Sequence, residues 1–168
     1  MRLFVAIRFS SEINQALLSA ISELKQQVRH GTFTRPENLH LTLAFLGETD
    51  RITDAVSALT AAAAVQMGAF PLALAGTGRF GELFWAGVAA SPALSALARE
   101  VAVRLRRQGF TIERREFLPH ITLARRIDGN DIRITIPRRE MIVRDVSLMK
   151  SERIEGRLTY TELSRVSL

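Results

Sequence analysis

The chain has 168 residues, 47% hydrophobic and 24% charged, with a formal net charge of +6 and no cysteine. That length suits one well-cored domain rather than two independent ones, and the composition excludes a disordered or low-complexity chain. The missing cysteine removes disulfides, thiolate metal sites and cysteine nucleophiles together, and it makes the cytoplasm the default location.

The opening Met1–Arg8 run is too short for a signal-peptide core and reads as a first strand. Ser10 or Ser11 can cap a helix whose apolar residues Ile13, Leu17, Ala20, Ile21, Leu24 and Val28 recur at spacings of three and four, and Gly31 ends it. His30 then falls in the last turn and reads as a surface terminator. Arg35–Asn38 leads into a strand over Leu39–Leu46, closed by Gly47, and a helix follows over Asp50–Gln66. The uncharged stretch Ala55–Gly78 has the length of a membrane span, but its Ala, Gly, Ser and Thr content and its Gln66, Gly68 and Pro71 read as a helix followed by a strand. Strands are predicted over Phe70–Ala75 and Leu83–Ala89. The Gly76–Gly81 segment between them lacks the Lys-Ser/Thr ending of a phosphate loop and reads as a hairpin-like turn. Ser91-Pro92 starts a helix with Leu94, Leu97, Ala98, Val101 and Leu105 inward, ending before Gly109. Strands are then expected over Phe110–Glu113, His120–Ala124, Ile132–Ile136, Met141–Lys150 and Arg157–Val166, with turns at Gly129-Asn130 and Gly156. The class is mixed α+β, with mainly antiparallel strands, two or three helices packed on them and one central cleft.

Two short stretches say nearly the same thing: Leu39-His40-Leu41-Thr42-Leu43-Ala44 and Pro119-His120-Ile121-Thr122-Leu123-Ala124. On ordinary residue frequencies an apolar-Thr-Leu-Ala tail follows a given histidine roughly once in a few thousand cases, yet it follows two of the three histidines here. Duplication is the simpler explanation, and it makes residues 1–168 a single domain with two lobes. In each copy the alternation places His and Thr on one strand face and leaves Leu39, Leu41, Leu43 and Phe45, or Ile121 and Leu123, for a core. Related by an approximate two-fold axis, the two His-Thr faces can meet across the cleft. One neutral imidazole then accepts a proton from an attacking water or hydroxyl while an imidazolium protonates the leaving oxygen, and the Thr42 and Thr122 hydroxyls donate to the non-bridging oxygens of a phosphate. The residue pattern itself does not say which histidine gives the proton. Each strand supplies only one metal ligand, there is no HExxH spacing, and no Gly-x-Ser-x-Gly elbow occurs, so neither a metal nor any other cofactor is expected.

His40-Leu41-Thr42-Leu43 and His120-Ile121-Thr122-Leu123 resemble the paired HxTx motifs of the two-histidine phosphoesterase superfamily. Their flanks, Asn38 to Gly47 and Pro119 to Arg125, with the opening Arg2-Leu3-Phe4-Val5-Ala6-Ile7, are similar to its bacterial RNA 2',3'-cyclic phosphodiesterase branch, the 2'-5' RNA ligase family. The resemblance implies a bilobal α+β fold, with two mainly antiparallel sheets, packed helices, pseudo-two-fold symmetry and a basic central cleft. It implies metal-independent opening of RNA 2',3'-cyclic phosphate ends to 2'-phosphates, and 2'-5' ligation by the same step in reverse. By that likeness His40 is the proton donor to the 3'-oxygen and His120 the proton acceptor from water. Thr42 and Thr122 bind the phosphate, and Arg125 contacts the nucleotide, although its parity puts it opposite His120 on an ideal strand.

The positive charge is almost all arginine, Lys25 and Lys150 being the only lysines, and it gathers between Arg104 and Arg139. Arginine makes planar, bidentate contacts with phosphate, so the expected partner is an RNA 3' end or a cyclic-phosphate nucleotide, bound by a monomer away from membranes. Codon bias explains the same charge without a partner. Phe45, Phe80, Trp85 and Phe117 can stack on bases, but aromatic residues in strand-rich segments read first as core. The competing function is a nucleotide- or RNA-binding module with little catalytic activity; intact His and Thr in both copies favour the enzyme.

Overall fold

The computed structural model describes residues 1–66 and 68–168. Helix α1 (Ser11–Gln27) begins where the Ser10 hydroxyl accepts from the Ile13 N–H at 3.3 Å, and it buries Ile13, Leu17, Ala20, Ile21 and Leu24 on one stripe. Helix α3 (Pro92–Arg107) uses the same device, Ser91 Oγ accepting from Leu94 N at 3.1 Å with Pro92 opening the helix. Its last turn carries Arg104, Arg106 and Arg107, where cations suit the helix dipole. Between them α2 (Ile52–Gln66) buries Leu59 together with Ala55, Ala58, Ala62 and Ala63, small residues that let it lie close against α3. Each fully buried leucine, such as Leu17, Leu24, Leu97 or Leu105, contributes about 1.5–3 kcal/mol of burial.

The strands are β1 (Arg2–Ile7), β2 (Thr32–Phe33), β3 (Leu41–Glu48), β4 (Phe70–Phe80), β5 (Leu83–Val88), β6 (Ile121–Arg125), β7 (Glu140–Val143), β8 (Asp145–Ile154) and β9 (Arg157–Ser167). They form a four-stranded sheet in the order β3-β1-β8-β9 and a five-stranded sheet in the order β2-β6-β5-β4-β7, with antiparallel pairing throughout. Apart from the short edge strand β2, the two orders correspond one to one, so that β1-α1-β3 in one lobe matches β5-α3-β6 in the other. The helices cross between lobes: α1 packs on β6 and α3 on β3. Leu3, Val5 and Leu41 of the first sheet share one buried cluster with Phe84, Ile121 and Leu123 of the second. The α+β architecture and its internal two-fold relation match the expectation.

Several local readings are corrected. The expected strand Met141–Lys150 is two strands: the chain leaves the five-stranded sheet after Val143 and enters the four-stranded one at Asp145. An alternation of apolar residues cannot reveal that its two halves pair with different partners. Neither Phe110–Glu113 nor Ile132–Ile136 forms a ladder. Ile132, Ile134 and Ile136 do alternate half-buried with exposed neighbours, but the backbone of Arg133 bonds to the side-chain amide of Gln27 at 2.7 and 2.9 Å instead of to a strand. Strand β4 runs through the glycine-rich segment, and the turn lies at Gly81-Glu82. His30 sits past the end of α1 and faces Asp128 across 3.6 Å. No helix among the described residues is long and apolar enough to cross a membrane; Met67, inside the Ala55–Gly78 stretch, lies outside the described residues.

Candidate active site

Both motif histidines sit one residue before their strands rather than within them. In that position each ring reaches back to a carbonyl two residues earlier: His40 Nδ1 to Asn38 O at 2.7 Å, and His120 Nδ1 to Leu118 O at 2.9 Å. A carbonyl only accepts, so Nδ1 carries the hydrogen in both neutral rings and Nε2 is the nitrogen with the free lone pair. Thr42 Oγ1 lies 2.8 Å from His40 Nε2, and its hydroxyl donates to that nitrogen when the imidazole is neutral.

The two strands share an irregularity that the sequence conceals. In the first sheet Ala6 pairs with Thr42 and Val5 with Ala44, leaving Leu43 unpaired; in the second Trp85 pairs with Thr122 and Phe84 with Ala124, leaving Leu123 unpaired. A bulge at this point reverses the side-chain parity of the residues beyond it. The residue five places after each histidine therefore turns from the core toward the histidine's face. In the first copy this residue is Phe45, expected in the core but 64% exposed, its ring 6.3 Å from Phe4. Leu46, next along, is buried as the new parity requires, and a second bulge between the Leu3–Gly47 and Phe4–Phe45 pairs leaves it without a partner in β1. In the second copy the residue is Arg125, whose charge acts on both His40 and Tyr160. The parity objection to Arg125 falls with the bulge.

Burial holds His40 below the ordinary imidazole pKa of 6.5; the Asn38 carbonyl opposes this, while the charges of Arg125 and His120 push further down. Arg125 and His120 thus lie near enough for their charges to act on His40, and β3 packs against β6. His40 is walled by Phe4 at 5.0 Å and by Tyr160 edge-on at 5.1 Å. Burial raises the Tyr160 pKa, against the pull of Arg125 and Arg2. Around His120 the walls are Phe80, at 5.1 Å with the ring planes at 80°, and Trp85 at 6.5 Å.

Asn38 holds the first motif in place. It is buried, and its Nδ2 donates to Leu158 O on β9 at 2.9 Å while its own carbonyl takes the His40 hydrogen. Phe4, Asn38 and Tyr160 carried no signal as site residues; they reach His40 from β1, the 3-10 turn over Pro36–Asn38 and β9. Phe80 and Trp85 also line the site, contrary to the core reading. Phe117 alone of the four aromatics packs against the core without contacting a histidine ring.

Parts of the arginine-rich second half are committed to local contacts. Arg104 pairs with Glu100 at 2.6 Å, Arg115 with Glu113 at 2.6 Å and Arg133 with Asp131 at 3.3 Å, while Arg106 bonds to the carbonyls of Ile112 and Glu113. Two cavities of about 250 and 270 Å3 have no histidine in their lining, one being lined by Lys25, Phe33 and Arg35, the other by Arg8, Asn14, Leu39 and Arg165.

Residues 12–164 match the model of the 2'-5' RNA ligase superfamily. An RNA 2',3'-cyclic phosphodiesterase of Geobacillus stearothermophilus is 38% identical over 133 residues, 75% of this chain and 42% of that protein, so this chain spans less than half of that relative. The Escherichia coli K12 protein of the same name is 34% identical over 164 residues, 88% of this chain and 91% of that one. The crystal structure of E. coli LigT complexed with 3'-AMP superposes with a TM-score of 0.82 at 31% identity, covering 99% of this chain and 97% of that one. With a family match over nearly its whole length and the family's fold on both sides of the site, the chain belongs to the 2'-5' RNA ligase superfamily.

Proposed function

We propose that this protein hydrolyses RNA 2',3'-cyclic phosphodiester ends to 2'-phosphomonoesters without a metal, and that the same displacement, with a 5'-hydroxyl in place of water, joins such an end in a 2'-5' linkage. The observation that carries this reading is the pair of imidazoles, each with Nδ1 tied to a carbonyl two residues earlier, so that Nε2 is the nitrogen for proton transfer; at His40 the Thr42 hydroxyl, now on Nε2, turns to the phosphate as substrate binds. His120 Nε2 accepts a proton from water as its oxygen bonds to phosphorus, the P–O3' bond breaks in line, and His40 Nε2–H protonates the departing 3'-oxygen. Thr42, Thr122 and Arg125 hold the non-bridging oxygens, the guanidinium matching the charge that builds there. Solvent then returns each histidine to its starting state.

The depressed His40 pKa fits a proton donor only once substrate has bound. A phosphodiester anion beside the ring offsets the positive charges of Arg125 and His120 and favours the imidazolium. The name shared by the bacterial relatives and the 3'-AMP held in the E. coli structure support a nucleotide end as the ligand. Because one histidine comes from each lobe, residues 1–168 work as one two-lobed domain, which we take to act as a cytoplasmic monomer on RNA 3' ends or cyclic-phosphate nucleotides. The test is incubation with an RNA ending in a 2',3'-cyclic phosphate, in EDTA, followed by identification of the phosphate isomer. A 2'-phosphate is expected; a 3'-phosphate, or no product until metal is restored, overturns the proposal.

A further inference from the structure

We propose that Phe80 and Trp85 form an acceptor subsite that stacks the base of a nucleoside whose 5'-hydroxyl replaces water beside His120. The inference rests on the proposed function and adds to it the place where the second substrate of 2'-5' joining binds. Trp85 pairs directly with Thr122 on one side and Gly78 on the other, so its indole lies on the same sheet face as the second motif. At Gly78 a Cβ would stand 2.1 Å from the indole, so the ring lies against the bare backbone of β4. Phe80 packs on Trp85 at 5.3 Å, touches His120 edge to face and remains 44% exposed. An exposed aromatic on a rigid floor, next to a proton-accepting imidazole, is a surface for a nucleobase.

In-line displacement decides which nucleoside this is. The attacking oxygen and the departing O3' lie on opposite sides of phosphorus, and the ribose of the cyclic phosphate stays with O3' on the His40 side. Whatever stacks on Phe80 therefore arrives with the attacking oxygen. Water needs no such wall. A 5'-hydroxyl nucleoside does: its O5' bonds to phosphorus, its proton passes to His120, the P–O3' bond breaks, and His40 protonates O3', leaving a 2'-5' phosphodiester and a free 3'-hydroxyl. The first sheet provides a separate exposed aromatic, Phe45, on the His40 side.

The experiment measures joining and hydrolysis in one tube, using an RNA 2',3'-cyclic phosphate with rising concentrations of a 5'-hydroxyl dinucleotide. The variants are Phe80→Leu, which keeps apolar contact with Trp85 but lacks a stacking face, and Phe80→Tyr, which keeps the face. Phe80→Leu should lower the ratio of joining to hydrolysis by about fivefold to a hundredfold, the worth of one base–aromatic stack, and Phe80→Tyr should restore it. With methyl riboside, an acceptor that has a 5'-hydroxyl but no base, wild type and Phe80→Leu should give the same ratio. An unchanged ratio with the dinucleotide overturns the proposal. So does an equal fall in both reactions, which would put the base of the cyclic nucleotide itself on Phe80. Failure of the wild type to hydrolyse the cyclic end would instead refute the proposed function.

Discussion

Glycine at position 78 is required by the indole that lies on it, and Gly78→Ala tests that placement. In an ordinary strand the change stabilises by about 0.4–1 kcal/mol, because alanine has less freedom to lose on folding. Here the new Cβ would meet three indole atoms of Trp85 at 2.1, 2.5 and 2.6 Å, and the ring must retreat by about 1.3 Å to reach an ordinary 3.4 Å contact. Overpacking of this kind costs about 1–3 kcal/mol, enough to reverse the sign. Net of that gain, Gly78→Ala should lower Tm by up to roughly 10 °C for a chain of this size. The protein has one tryptophan, so its emission spectrum reports this site alone and should shift in the variant. Adding Trp85→Leu to Gly78→Ala should recover most of the loss, a coupling that neither change produces alone. Unchanged Tm and emission in Gly78→Ala would show that the indole does not lie on β4, and the floor beneath Phe80 would go with it.

His40→Ala and His120→Ala should each lower turnover by about two orders of magnitude or more with the fold intact, and Thr42→Ala or Thr122→Ala by about tenfold to a hundredfold, the loss of one charge-assisted hydrogen bond; steady-state kinetics on a cyclic-phosphate RNA checks both. The His40 resonance in an NMR titration should move below 6.5, and Arg125→Met should shift it upward, because the guanidinium disfavours the imidazolium. Between its lowered pKa and 6.5 the unfolded chain binds more protons at His40 than the native one, so stability should rise with pH across that window; His40→Gln should flatten this slope in denaturant melts. If the arginines guide RNA, long cyclic-phosphate substrates should lose KM advantage over a mononucleotide as salt rises, and equal salt slopes would assign the charge to composition alone.

The duplicated motif made the two-lobed plan legible, because His and Thr at fixed spacing mark equivalent strands wherever they fall. Helices were readable from capping serines and apolar spacing, and α1 and α3 start where Ser10 and Ser91 indicated. Strand pairing stayed hidden. The bulges at Leu43 and Leu123 leave no mark in an alternating pattern, yet they decide that Phe45 and Arg125 face the site. The same blindness to partners merged β7 with β8 and made a strand of the Ile132–Ile136 segment, whose alternation reflects burial without a ladder. Phe4, Phe80 and Tyr160 come to the histidines through tertiary packing alone.

The division of labour between the histidines is tested most directly by a 2',3'-cyclic substrate with sulfur in place of the 3'-oxygen. A thiol ionises near pH 8.5, far more readily than an alcohol, so sulfur leaves without needing a proton. On this substrate His40→Ala should regain most of its lost rate, whereas His120→Ala, still lacking a base for water, should stay slow. Rescue of His120→Ala with none for His40→Ala would reverse the roles, and rescue of neither would contradict acid catalysis at the 3'-oxygen.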